Sequence, residues 1–162
     1  MRRLLAVVAL GGLALAGAGC GAKPVPPPAA APTSASPSSD PYAANTHEVC
    51  ATVNQVVADG VARFGSDVGA LAGHLTGGNK PEADKARAAA LARLKDLAGK
   101  GRNAGQPAAD PAVAGAVGTV ADRLDALAAD PTLLAGVKTV ADTPAVNKRV
   151  TTVTEALTGV CV

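Results

Sequence analysis

The chain has almost no aromatic residues: among its 162 residues there is no tryptophan, and Tyr42 and Phe64 are the sole tyrosine and phenylalanine. A surface that binds nucleic acid needs a basic footprint and usually aromatic platforms for stacking. Neither is evident, so no nucleic-acid partner is expected. Strands also favour aromatic and β-branched residues, whereas alanine, which dominates here, is the best helix former. Histidine is scarce as well. His47 and His74 stand 27 positions apart, about 40 Å along a continuous helix at ~1.5 Å per residue, too far to share a metal ion.

The signatures of familiar chemistries are missing too. The chain has no GxSxG elbow, Walker loop, HExxH or dinucleotide-binding glycine fingerprint, and its cysteines lie too far apart for a zinc site. Asp122 and Asp125 sit three apart beside Arg123. They read as a solvated helix face, where a paired-carboxylate enzyme would place two acids across a cleft. No catalytic residue, metal ligand or cofactor is therefore expected, and the chain reads as a non-enzyme. Long apolar runs are absent: only about fifteen N-terminal residues are continuously apolar or small, against the ~20 needed to span a bilayer.

That short apolar run is the most informative stretch present. In MRRLLAVVALGGLALAGAGCG, Arg2 and Arg3 precede an apolar core from Leu4 to Leu15, and Ala16, Gly17, Ala18 and Gly19 lead into Cys20. Positive, apolar and small-residue regions in this order make a secretory signal peptide. With a cysteine directly after the small residues, the segment resembles the signal of bacterial lipoproteins, although Gly17 stands where that pattern favours a branched apolar residue. The resemblance implies a signal over 1–19, removal at Cys20, and lipidation of Cys20 as first residue of the mature chain. It also implies attachment to the extracytoplasmic face of the cell membrane, or to an outer membrane where the organism has one. The alanine- and glycine-rich composition resembles lipoproteins of high-GC actinobacteria. The alternative is an ordinary signal cut after Ala16 or Ala18, with Cys20 an incidental thiol.

Two further counts depend on this segment. The formal charge of +2 includes Arg2 and Arg3; without them 13 basic residues face 13 acidic ones. With Cys20 committed to the lipid, Cys50 and Cys161 remain, one near each end of the foldable region, in an oxidising compartment. A Cys50–Cys161 disulfide is expected, the alternative being two buried free thiols. From Ala22 to Pro41 proline, alanine and serine dominate. Such a segment cannot bury enough apolar surface to offset its ordering. Residues 20–41 thus read as the lipidated cysteine and a tether, and residues 42–162 as one domain.

Within that domain apolar residues recur in steps of three and four. Val49, Val53, Val57, Val61, Phe64, Val68, Leu71 and Leu75 give the stripe of one long helix, starting at an Asn45–Glu48 capping box and ending at Gly77–Gly78; the alternative is a break at Gly65-Ser66-Asp67 with Ser66 as a new cap. A second helix starts at Asn79, with Pro81 in its first turn, and carries Ala83, Ala86, Ala90, Leu94 and Leu97. Gly99 and Gly101 are expected to stop it, leaving a polar loop to Ala109. Asp110–Pro111, Asp130–Pro131 and Thr143–Pro144 each pair an N-cap residue with a first-turn proline. They predict a third helix through Leu127, a short one over 132–142, and a last one through Val160. The expected fold is all-α: an antiparallel bundle of four main helices plus one short helix, closed by the disulfide.

Three weaker surface features stand out. Basic residues cluster from Lys80 to Arg102, and read either as a face for anionic headgroups or as a solvated face with local charge pairs. Gly65, Gly69 and Gly73 form a smooth stripe suited to close helix approach. Thr151, Thr154 and Thr158 line one face of the last helix. The function expected is that of a membrane-anchored module, held through Cys20, that binds a protein or envelope component. The alternative is a carrier of an apolar small molecule or lipid in the bundle core, which requires an apolar cavity of a few hundred Å3.

Overall fold

The computed structural model describes residues 40–161. Four α-helices account for most of them: α1 (Ala43–Thr76), α2 (Lys80–Gly105), α3 (Pro111–Ala129) and α4 (Thr143–Thr154). Among the described residues there is no strand. By contacts the chain divides after Pro37, and the unit Ser38–Val162 carries all four helices.

Helix α1 runs 34 residues without interruption through Gly60, Gly65, Gly69 and Gly73. Each glycine costs up to ~1 kcal/mol against alanine. The apolar stripe supplies the compensation, with Val49, Val53, Phe64, Val68 and Leu71 buried. The helix ends where the sequence stops it. Gly78 takes φ +72, a left-handed conformation that glycine adopts without steric cost, and the Asn79 N–H returns to the His74 carbonyl at 2.9 Å.

Its start differs from expectation. The helix begins at Ala43 behind Tyr42, with no side-chain cap. Asn45 is employed elsewhere: its amide donates to the Pro107 carbonyl at 3.1 Å, and its Oδ1 accepts from the Ala109 N–H at 2.7 Å. A side chain that satisfies two backbone groups beyond the end of α2 is not free to cap its own helix.

Asn79 does cap α2, accepting from the Glu82 N–H. The helix does not stop at Gly99 or Gly101, however, but continues to Gly105. Gly101 and Gly105 are buried, and a Cβ at Gly105 would lie 2.6 Å from Val117 Cγ1 on α3. A Cβ at Gly60 would similarly lie 2.5 Å from Leu97 Cδ1. These two glycines let α2 approach α3 and α1 closely. Tertiary packing of this kind outweighs weak local propensity.

Asp110 caps α3 as expected, accepting from the Ala112 N–H at 2.8 Å. Val113, Val117, Val120 and Leu124 are buried along it. The short helix expected over 132–142 is not formed. The segment is a series of turns ending in a three-residue 3-10 helix, Val140–Asp142. Its backbone bonds are all of the i to i+3 kind, among them Leu133 to Asp130, Ala135 to Thr132 and Val137 to Leu134. The Asp130 and Asp142 carboxylates take backbone N–H groups that a helix would use, those of Thr132, Lys138 and Thr139. Local side-chain bonds of this type compete with helix. The turns bury Leu133, Leu134 and Val137, so the apolar residues of the segment still reach the core without a helix.

Helix α4 is shorter than its apolar pattern. It ends at Thr154 and passes into a 3-10 turn over Glu155–Leu157. The Thr154 and Thr158 hydroxyls donate to the Thr151 and Glu155 carbonyls, three residues back, drawing the chain into the tighter winding. Helix α1 packs along α2, α2 along α3, and α4 lies against α1 and α3.

Candidate functional site

The residue on which the anchoring expectation rests, Cys20, lies outside the described residues, as do the signal over 1–19 and nearly all of the tether. The other two cysteines are placed. Cys50 and Cys161 form a disulfide with their Cα atoms 5.2 Å apart across 111 positions of sequence. Cys50 projects from the third turn of α1 and is 6% exposed, while Cys161 closes the last described turn and is half-buried. Both line an open cleft of about 570 Å3 together with Asp40, Ala43, Thr46, His47, Ala51 and Asn54. The disulfide thus borders a recess of mixed polar and apolar character beside the first turns of α1.

The basic cluster of α2 is largely neutralised. Lys85 pairs with Glu82 at 2.7 Å, Lys100 with Asp96 at 2.8 Å, and Arg93 with Asp67 of α1 at 3.2 Å. Arg87 donates to the Leu134 carbonyl at 3.2 Å. The solvated face with charge pairs therefore describes this surface better than a headgroup-binding one. Asp122 and Asp125 do converge, as α3 spacing requires, but on Arg102 of α2, at 2.8 and 2.6 Å. Hydrogen bonds to these two carboxylates hold the Arg102 guanidinium protonated above its ordinary range. The two acids are occupied by a clamp between helices.

His47 is exposed near the start of α1, and His74 lies in its last turn, partly buried. They are separated by nearly the whole helix. Among the described residues no group of three or more histidine, cysteine or acidic side chains could hold a metal ion. The glycine stripe does not serve close approach along its length: Gly65 faces the Asn147 side chain at 3.4 Å, whereas Gly69 and Gly73 face open space. Nor do the three threonines share an exposed face, because Thr154 is buried between exposed Thr151 and Thr158. Tyr42 is 40% exposed and Val140 62%.

Three further clefts are open to solvent and mixed in character. One of about 110 Å3 between α1 and α2 is ringed by Arg63, Arg93, Lys100, Asp59 and Asp96 around Gly60 and Leu97. Another of about 270 Å3 carries Asn45, Glu48, Thr52 and Asn103. The third, about 310 Å3, has Leu133 and Val146 beneath Asp142 and Arg149. None of these is the apolar chamber that a lipid carrier requires.

Two functional contacts of the fold carried no local sequence signal. Asn45 and Arg102 each act on partners far along the chain, and only the folded pairing reveals them. Compared with known proteins, the chain matches no family model, no curated sequence and no solved structure.

Proposed function

We propose that this is an extracytoplasmic lipoprotein, anchored through Cys20, whose helical domain binds a protein or envelope component without catalysing a reaction. The observation that carries this reading is the Cys50–Cys161 pair. A disulfide between positions so distant persists in oxidising compartments, and it leaves Cys20, at the end of a signal-like segment, as the one cysteine outside the bridge. We further infer that the four helices form an antiparallel bundle. Positions rise along α1 as their partners fall along α2: Asn45 with Pro107, Gly60 with Leu97, and Asp67 with Arg93. Mixed polar and apolar clefts favour a macromolecular partner over an apolar cargo in the core.

Affinity capture from envelope extracts with residues 42–162, disulfide intact, tests the binding role, with mass spectrometry for copurifying lipid. A specific protein or envelope polymer is the expected result; a stoichiometric apolar ligand would replace this reading with the carrier. Exchange of Cys20 for alanine is expected to release the protein from the membrane fraction. Unchanged retention would refute the anchor.

A further inference from the structure

We propose that the Cys50–Cys161 disulfide is also a latch, which a small dithiol can open to free the C-terminal segment while the helices stay folded. Access comes first. Both cysteines line the cleft of about 570 Å3, roomy enough for a thiol of a few heavy atoms. Cys161 is the more exposed of the two, so its sulfur is the one attacked, with Cys50 as leaving group.

The segment beyond α4 has little else to hold it. Glu155–Leu157 is a 3-10 turn, and its backbone bonds are local, from Thr158 to Glu155 and from Val160 and Cys161 to Leu157. The Thr158 hydroxyl also bonds within the segment, to the Glu155 carbonyl. The Val160 carbonyl lies 3.9 Å from Cys50 Sγ, but a disulfide sulfur has no proton to donate. Leu157 is buried, at 3% exposure, where the turn meets α3; Val160 and Cys161 are half-buried, while Glu155, Ala156, Thr158 and Gly159 are exposed. One fully buried side chain and only local backbone bonds mark a region that opens at lower free-energy cost than the helices. Exchange depends on access to the attacked sulfur, and here access is through half-buried Cys161 at the cleft, because Cys50 is buried.

The chemistry balances with a dithiol as reductant. Its thiolate attacks Cys161 Sγ, the S–S bond breaks, and Cys50 leaves as a thiolate that takes a proton from solvent. The second thiol of the reagent then displaces Cys161, which also becomes a thiol, and the dithiol departs as a cyclic disulfide. The protein gains two electrons and two protons, and the reagent loses them.

The test uses the full chain with Cys20→Ala, so that only one pair of sulfurs can react. Dithiothreitol is added without denaturant, alkylated thiols are counted by mass, and amide exchange is followed by region. The expected result is reduction at a rate proportional to dithiothreitol and faster than global opening as read from α2 amides. Exchange over 155–161 should rise about tenfold or more, with α1, α2 and α3 unchanged. Reduction no faster than global opening would overturn the proposal, and so would loss of protection in all helices on reduction. Cys161→Ser is expected to reproduce the opened segment without reagent. A protected 155–161 in that variant would equally overturn it, and if the variant does not fold, the kinetics of the unsubstituted pair decide.

Discussion

Removing the cross-link between Cys50 and Cys161 should lower the unfolding free energy of residues 38–162 by up to about 4.8 kcal/mol. The figure follows from the loop that the bond closes. For a separation of 111 residues, the chain-entropy relation gives about 16 cal/mol/K, hence ~4.8 kcal/mol at 25 °C. A unit of about 125 residues has an unfolding entropy near 260 cal/mol/K at its melting temperature, so this loss corresponds to a drop of roughly 18 °C. Urea titration of the oxidised protein and of the Cys50→Ser, Cys161→Ser pair measures it directly. Because the effect acts on the unfolded chain, the denaturant slope should rise as the unlinked chain exposes more surface. A loss below ~1 kcal/mol with an unchanged slope would refute the reasoning, since it would mean that the unfolded chain is not constrained by the bond.

The glycines of the helices should divide by what a methyl group would meet. Gly69→Ala and Gly73→Ala, which face open space, should each stabilise by about 0.5–1 kcal/mol in thermal melts. Gly105→Ala should instead destabilise by about 1–2 kcal/mol, because Val117 lies 2.6 Å from the new methyl and a β-branched side chain yields little. Asn45→Ala should cost about 1 kcal/mol in urea titration by exchanging its bonds to the exposed Pro107 carbonyl and Ala109 N–H for bonds to water; if Asn45 were merely a helix cap, Asn45→Ser would restore the loss. The Asp130 carboxyl is held at about 2 by hydrogen bonds from the Thr132 hydroxyl, Arg149 and the Thr132 N–H. Its folded value lies below the ordinary carboxylate value of ~3.9, so its stabilisation is complete above about pH 4 and is lost as pH falls through 2. An acid titration by circular dichroism should accordingly show a shallower loss over that window for Asp130→Asn than for the parent.

The helical content and the cysteine pairing were legible because both are written in spacing and number. Steps of three and four among Val49 to Leu71 survive glycine interruptions, and an odd cysteine count resolves once Cys20 is set aside. Boundaries governed by distant partners were not legible. Gly99 and Gly101 look like stops only while Arg102 has no visible partners; Asp122 and Asp125 of α3 supply them. Asn45 and Glu48 have the spacing of a capping box, yet the amide is committed 62 and 64 positions further on. Asp130–Pro131 follows the same local pattern as Asp110–Pro111, but Asp142 further on takes the Lys138 and Thr139 N–H groups, and such local bonds favour turns over helix. Of the candidate site, the cleft beside the disulfide could not be read from sequence, since it exists only where the first turns of α1 meet the last turn of the chain.

The bridge has a mechanical consequence. It turns residues 50–161 into a closed ring from which the remaining N-terminal chain hangs by the start of α1. Tension applied at that end can peel only Ala43 to Val49 before it reaches the covalent link, lengthening the chain by about 14 Å as ~1.5 Å per helical residue becomes ~3.5 Å. Beyond that point any load carried to a partner on the helices divides between two arms of the ring, so neither arm bears the whole force. Whatever pull enters at the start of α1 is therefore passed by the bridge to the opposite end of the described fold.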